Sequence, residues 1–148
     1  MPYIRITSPD LPAGERRRIA ERITAAINDL FFEPHSPISR EELRERTTVH
    51  FTPYGESELF IGGRTPQERG GVDVTLELSD WNMSLHLQRK VAASLTEAVA
   101  ELFSISQEAI DQINIRFHPY PPRDFAVGGQ LLRDRVPLLA QFMKRLQR

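Results

Sequence analysis

Hydrophobic side chains recur along this chain in two rhythms, and the rhythms alternate. Tyr3–Thr7 (YIRIT) switches between apolar and polar at each step, which predicts a β-strand beginning almost at the first residue. Two prolines and a glycine within Ser8–Gly14 predict a loop. Ile19, Ile23, Ile27, Leu30 and Phe31 then fall on one helical face, with Arg16, Arg17, Arg18, Glu21 and Arg22 largely opposite; the spacing predicts a helix over 15–32. Glu33–Pro37 stops it, and Ser39-Arg40-Glu41-Glu42 has the spacing of a capping box opening a short helix to Arg46. Thr47–Thr52 (TTVHFT) predicts a second strand, and Tyr54–Gly63 leads through a turn into a short apolar piece. After a joint at Arg64–Gly71 the order repeats. A strand is expected at Val72–Leu78, a connection at Ser79–Met83, and a helix over 84–103 marked by Val91, Leu95, Val99, Leu102 and Phe103. Ser104–Gln112 echoes the capped short helix, and Ile113–His118 is the last long strand.

The repetition is literal in one stretch. Phe51–Gly63 reads FTPYGESELFIGG, and at an offset of 66 residues Phe117–Gly129 reads FHPYPPRDFAVGG. Such self-similarity marks a chain built from two copies of one unit. The expected units are 1–63 and 72–129, joined by the loop 64–71 and followed by an extension, 130–148, in which Pro137 and the apolar Leu138, Leu139, Phe142 and Leu146 predict a last helix. A strand-helix-strand crossover normally sets its two strands parallel with the helix on one face. The expected fold class is therefore α/β: tandem β-α-β repeats forming a four-stranded mixed sheet with two long helices on one face. The other face must be covered, and self-association is the simplest cover.

Composition narrows the function classes. The chain has 148 residues, 40% hydrophobic and 26% charged, with a formal charge of -1, so it carries no general field for nucleic acid or an anionic membrane. The basic residues are 17 Arg against Lys90 and Lys144, a bias suited to bidentate grip on carboxylates. With no Cys there is no disulfide framework and no thiolate metal site. No long apolar run or signal-like N-terminus is read, and a cytoplasmic address is expected. His35, His50, His86 and His118 have no metal-ligand spacing, and the two Gly-Gly pairs lack phosphate-loop spacing; neither a metal nor a cofactor is expected.

Paired strand-helix-strand units, Pro2 directly after Met1, and two FxPY…GG segments together resemble the tautomerase superfamily over about residues 2–129. The layout is nearest to the fused, long-chain members of the cis-3-chloroacrylate dehalogenase-like group. The resemblance implies a homotrimer, a small-molecule carboxylate substrate, and an active site at an N-terminal proline. It also implies a keto–enol tautomerase or related proton-transfer enzyme acting on small 2-oxo or enol carboxylic acids. The alternative is an inactive or weakly active oligomeric scaffold or binding protein of the same fold, favoured if Met1 is retained.

Within that frame Pro2 is the expected catalytic group, as general base and then acid. Removal of Met1 would leave a secondary amine, for which the α-amino reference pKa is about 7.7–8. Burial or a nearby guanidinium would favour its neutral, basic form. The competing account is an ordinary proline at the start of an edge strand. Val72 is expected at the matching position of the second copy, giving at most one catalytic amine per chain. Arg116 is the leading carboxylate clamp, with a structural ion pair across a subunit seam as its alternative. Phe125 and Trp81 are expected to wall the pocket, core packing or interface anchoring being the other accounts. His50, the first-copy counterpart of Arg116, completes the expected pocket. The sequence departs from the resembled group in three places. Ser79–Met83 holds no arginine where fused members carry carboxylate-binding ones, and Asp80 there would repel an anion; Ile27 replaces a water-activating histidine; and Val127 replaces a glutamate. Hydrolytic dehalogenation by that group's route is therefore not expected.

Overall fold

The computed structural model describes residues 1–36, 38–81 and 83–135. In chain order these form β1 (Tyr3–Pro9), α1 (Ala13–Phe31), α2 (Arg40–Arg46), β2 (Thr48–Tyr54), β3 (Val74–Trp81), α3 (Leu85–Leu102) and β4 (Ile113–Tyr120). A short β5 (Ala126–Val127), β6 (Gln130–Leu131) and α4 (Leu132–Arg135) follow. The helix expected over Leu138–Arg148 lies outside the described residues.

The four long strands make one sheet in the order β2-β1-β3-β4. Each crossover pairs its own strands in parallel, β1 with β2 and β3 with β4, while β1 and β3 run antiparallel at the centre. The expected mixed sheet is thus present, and an approximate twofold relates its halves. Ile4 lies opposite Leu78, Arg5 opposite Glu77 and Ile6 opposite Leu76 across the central pair. Alternation then decides which side chains go where. Ile4, Ile6, Val74, Leu76 and Leu78 point to one face, where Ile19, Ile23 and Ile27 of α1 and Val91, Leu95 and Val99 of α3 cover them in a single core. The opposite face carries Tyr3, Arg5, His50, Glu77, Arg116 and His118, joined in part by Arg5–Glu77 at 3.6 Å and His118–Glu77 at 3.4 Å.

The two copies are capped differently. Ser39 accepts a hydrogen bond from the Glu42 amide at 3.0 Å and starts α2, as its spacing predicts. The echo at Ser104–Gln112 is instead a 3-10 turn over Gln107–Gln112, because Ser106 makes no such cap and the residue three steps on is Ala109 rather than an acid. The stretch Ser79–Met83, expected as a connection, is also corrected. Ser79, Asp80 and Trp81 continue β3, because β4 offers them partners in His118, Pro119 and Tyr120. Conversely β3 begins at Val74, two residues later than its apolar pattern suggests. Both Gly-Gly pairs have positive φ at each glycine, and Gly128-Gly129 forms the two-residue turn between β5 and β6.

Leu76 is fully buried at the centre of both strand pairings. Leu76→Ala should cost about 2–5 kcal/mol in urea unfolding; a change under about 1 kcal/mol would contradict this placement of the core.

Candidate active site

Met1 and Pro2, ahead of β1, are held by residues of the neighbouring strands. Pro2 is buried, and its carbonyl accepts from the Thr48 amide at 3.0 Å, extending the β1–β2 ladder by one step. Across the sheet Tyr3 pairs with Ser79, and one step further carries Pro2 alongside Asp80. The terminal ammonium of Met1 donates to Asp80 Oδ1 at 2.6 Å and to the Tyr120 hydroxyl at 3.3 Å. That hydroxyl in turn donates to the Met1 carbonyl at 3.4 Å. Phe125 stacks on Tyr120 with ring centroids 5.4 Å apart, and Trp81 is the strand partner of Tyr120.

The chain's start therefore sits in a partly enclosed setting with one acid, one phenol and the Phe125 ring stacked on that phenol. Burial pushes the Asp80 carboxyl above the usual carboxylate range, against the pull of the terminal ammonium's charge and its hydrogen bonds. Burial likewise raises the Tyr120 phenol, and the neighbouring Asp80 charge adds to the effect, so this hydroxyl acts as a hydrogen-bond donor rather than as a phenolate.

The expected site residues divide into two groups. Pro2, Trp81 and Phe125 are gathered at this end of the sheet. Arg116 and His50 are not: they lie on the face turned away from the helices, on the two outer strands, with Arg5 and Glu77 between them. Arg116 is exposed and four residues along β4 from Tyr120, roughly 13 Å at strand rise. His50 Nδ1 is 2.7 Å from the Tyr3 hydroxyl. The expected guanidinium neighbour of the terminus is replaced by a carboxylate, Asp80. In the sequence Asp80 reads only as a repeller of anions, and Tyr120 only as part of the repeated FxPY segment. The repeat held the signal for Tyr120, because its first-copy counterpart Tyr54 does the same work. The Tyr54 hydroxyl donates to the Asp73 carbonyl at 2.7 Å and accepts from the Asp73 amide at 3.1 Å, clamping the residue ahead of β3.

The same correspondence relates the two ends of the sheet. Tyr54 pairs with Pro9 and Tyr120 with Trp81, so Asp73 matches Met1, Val74 rather than Val72 matches Pro2, and Ser8 matches Asp80. At the second end a valine inside the chain replaces the terminal proline and a neutral hydroxyl replaces the acid. Among the described residues no group of three His, Cys, Asp or Glu side chains is disposed to hold a metal ion, and no helix is long and apolar enough to cross a membrane.

The architecture is the fused, long-chain tautomerase-superfamily fold. A solved fused 4-OT, described as a wild-type asymmetric trimer, superposes with a TM-score of 0.73 at 16% identity, covering 90% of this chain and 98% of that one. A member of the cis-3-chloroacrylic acid dehalogenase (cis-CaaD) family gives 0.68 at 15% identity, covering 98% of each chain. Pt0534, solved after inactivation by 2-oxo-3-pentynoate, gives 0.71 at 15% identity over 90% of this chain and 98% of that one. No protein-family model and no curated protein sequence matches the chain.

A carboxyl raised in the folded state favours folding while protonated, and that contribution is lost as pH rises from its ordinary value of 3.8 through its raised one. The stability of the native chain relative to Asp80→Asn should accordingly fall as pH rises above 3.8, read from urea midpoints at a series of pH values. A difference that does not change with pH would contradict the burial of this charge.

Proposed function

We propose that this chain is a cofactor-independent keto–enol tautomerase or related proton-transfer enzyme acting on small 2-oxo or enol carboxylic acids. Pro2, exposed as the N-terminal residue by removal of Met1, is the group that moves the proton. The observation carrying this reading is the buried position of Pro2 at the head of β1, with Asp80 and Tyr120 at the chain's first nitrogen. A ring nitrogen held there can take a proton from one atom of a bound enol and return it to another without a cofactor, because enolisation needs only a base and a place for negative charge. In this reading the Tyr120 hydroxyl supplies that place by donating to the developing enolate oxygen. Phe125 and Trp81 form the wall that keeps water away.

Arg116 is proposed as the carboxylate clamp. Its position on the far face of β4 requires that it serve a site shared between copies, so the reading includes a homotrimer in which these faces turn toward one another. His50, hydrogen-bonded to Tyr3 on the same face, would line the shared region. Support for the trimer comes from the fused 4-OT of like fold, which is itself described as a trimer. The inactivation of Pt0534 by a 2-oxo acid with a conjugated alkyne supports a 2-oxo acid substrate class.

One observation favours a second reading. With Met1 retained, its ammonium closes on Asp80 at 2.6 Å and the nitrogen of Pro2 is an amide without a basic lone pair. The chain would then be an oligomeric scaffold or binding protein.

Intact mass measurement on protein purified from its native cells should give the mass lacking methionine. Ketonisation of phenylenolpyruvate should fall by about 100-fold or more in Pro2→Ala, the scale of a lost acid–base group. Equal rates in the two proteins, or retained methionine throughout, would overturn the catalytic reading. Arg116→Ala should raise KM for the same substrate; an unchanged KM would remove Arg116 from its role.

A further inference from the structure

The two ends of the central strand pair offer an internal comparison. Asp80 and Ser8 occupy matching positions, each on the helix-facing side of its strand, and both are almost fully enclosed, with 4% and 2% of their surface exposed. Both are followed by a residue paired to a clamping tyrosine, Trp81 to Tyr120 and Pro9 to Tyr54. The fold thus accepts a small neutral side chain at this position. The acid stands only at the end where the polypeptide starts and a positive charge is at hand.

A buried carboxylate without a counter-charge is costly, and the usual remedies are a paired cation or protonation. The titratable groups facing Asp80 are few. The terminal amine approaches from the chain ahead of β1, and the Tyr120 hydroxyl from β4. From the helix side, α1 and α3 turn Ile19, Ile23, Ile27, Val91, Leu95 and Val99 to the sheet. Among the described residues no salt bridge other than that with the terminal amine reaches this carboxylate. The nitrogen of Pro2 lies one residue in from that of Met1, about 3 Å further by backbone dimensions, and so within the range over which a neighbouring charge sets protonation.

We infer that Asp80 is the positioning residue of the proton-transfer site: its carboxylate holds the Pro2 amine in the protonated form, so the site rests as an ion pair and opens its cycle as an acid. This rests on the reading of Pro2 given above and changes its order of events. In the ketonising direction the N–H proton passes to the carbon of the enol as the C=C pair closes the new C–H bond. The enol O–H proton then returns to the vacated nitrogen lone pair. No other reactant is consumed, and Asp80 keeps its charge throughout. Burial alone would favour a neutral amine; the carboxylate opposes that, and Ser8 marks the arrangement without it.

The test is a pH titration of the Pro2 nitrogen by NMR, on assembled protein carrying 15N-labelled proline and lacking Met1. Asp80→Asn and Asp80→Ser are compared with the native chain; the serine variant copies the chain's own solution at Ser8 and guards against a folding defect. In both variants the amine midpoint should fall by about 1–3 pH units, and the alkaline limb of kcat for phenylenolpyruvate should move to lower pH with it. Ser8→Ala should leave the midpoint in place. Midpoints that coincide in the native chain and both Asp80 variants would overturn the inference, as would an alkaline limb that stays put. Failure of the catalytic reading is separately visible, because Pro2→Ala would then ketonise the substrate as fast as the native chain.

Discussion

The structure depends on the antiparallel pairing of β1 with β3. Each β-α-β unit satisfies its own parallel ladder but leaves one strand edge unpaired, and joining these two edges makes one sheet with one core. Ile4 with Leu78 and Ile6 with Leu76 lie buried at the join, each side chain contributing about 1.5–3 kcal/mol by leaving water. On the other face Arg5 and Glu77 meet near the axis relating the two units. Antiparallel pairing has a geometric consequence: the start of each unit's first strand comes to lie beside the end of the other's. The chain's first residues are thereby delivered to Asp80, and Val74 is delivered to Ser8.

The two ends are built alike and equipped differently. At each, a tyrosine closing the outer strand reaches across to the backbone of the residue ahead of the inner strand, Tyr120 to Met1 and Tyr54 to Asp73. A short β5–β6 hairpin turned by Gly128-Gly129 follows Phe125, which stacks on Tyr120. Among the described residues, only one end combines the Met1 ammonium, an enclosed acid and stacked rings. The enclosed acid of one end, Asp80, is matched at the other by the neutral hydroxyl of Ser8.

Much of this was legible in the sequence. The 66-residue offset between the FxPY…GG segments and the helical spacing of Ile19, Ile23 and Ile27 and of Val91, Leu95 and Val99 fixed the repeat, the helix faces and the fold class. What was not legible depended on pairing between distant strands. Ser79, Asp80 and Trp81 have the polar look of a loop, yet β1 and β4 together draw them into the sheet. The apolar run beginning at Val72 suggested a start two residues early, which also misaligned the counterpart of Pro2. Arg116 and His50 sit on the face away from the terminus, because their alternation puts them opposite Ile115, Val49 and Phe51, which pack toward the core. No local pattern distinguishes an acid that meets a terminal amine from one that meets solvent, so Asp80 gained its meaning only from the register.

The central claim is that the nitrogen of Pro2 is a free amine in an enclosed site at the head of β1, one per chain. Its most direct test is covalent. Protein from its native cells is incubated with 2-oxo-3-pentynoate, which inactivates a protein of like fold, and the adduct is located by peptide mass spectrometry. The account predicts a single mass gain per chain, carried by a peptide that begins at Pro2 and placed on its nitrogen. An unmodified N-terminal peptide, or one that still begins at Met1, would contradict it.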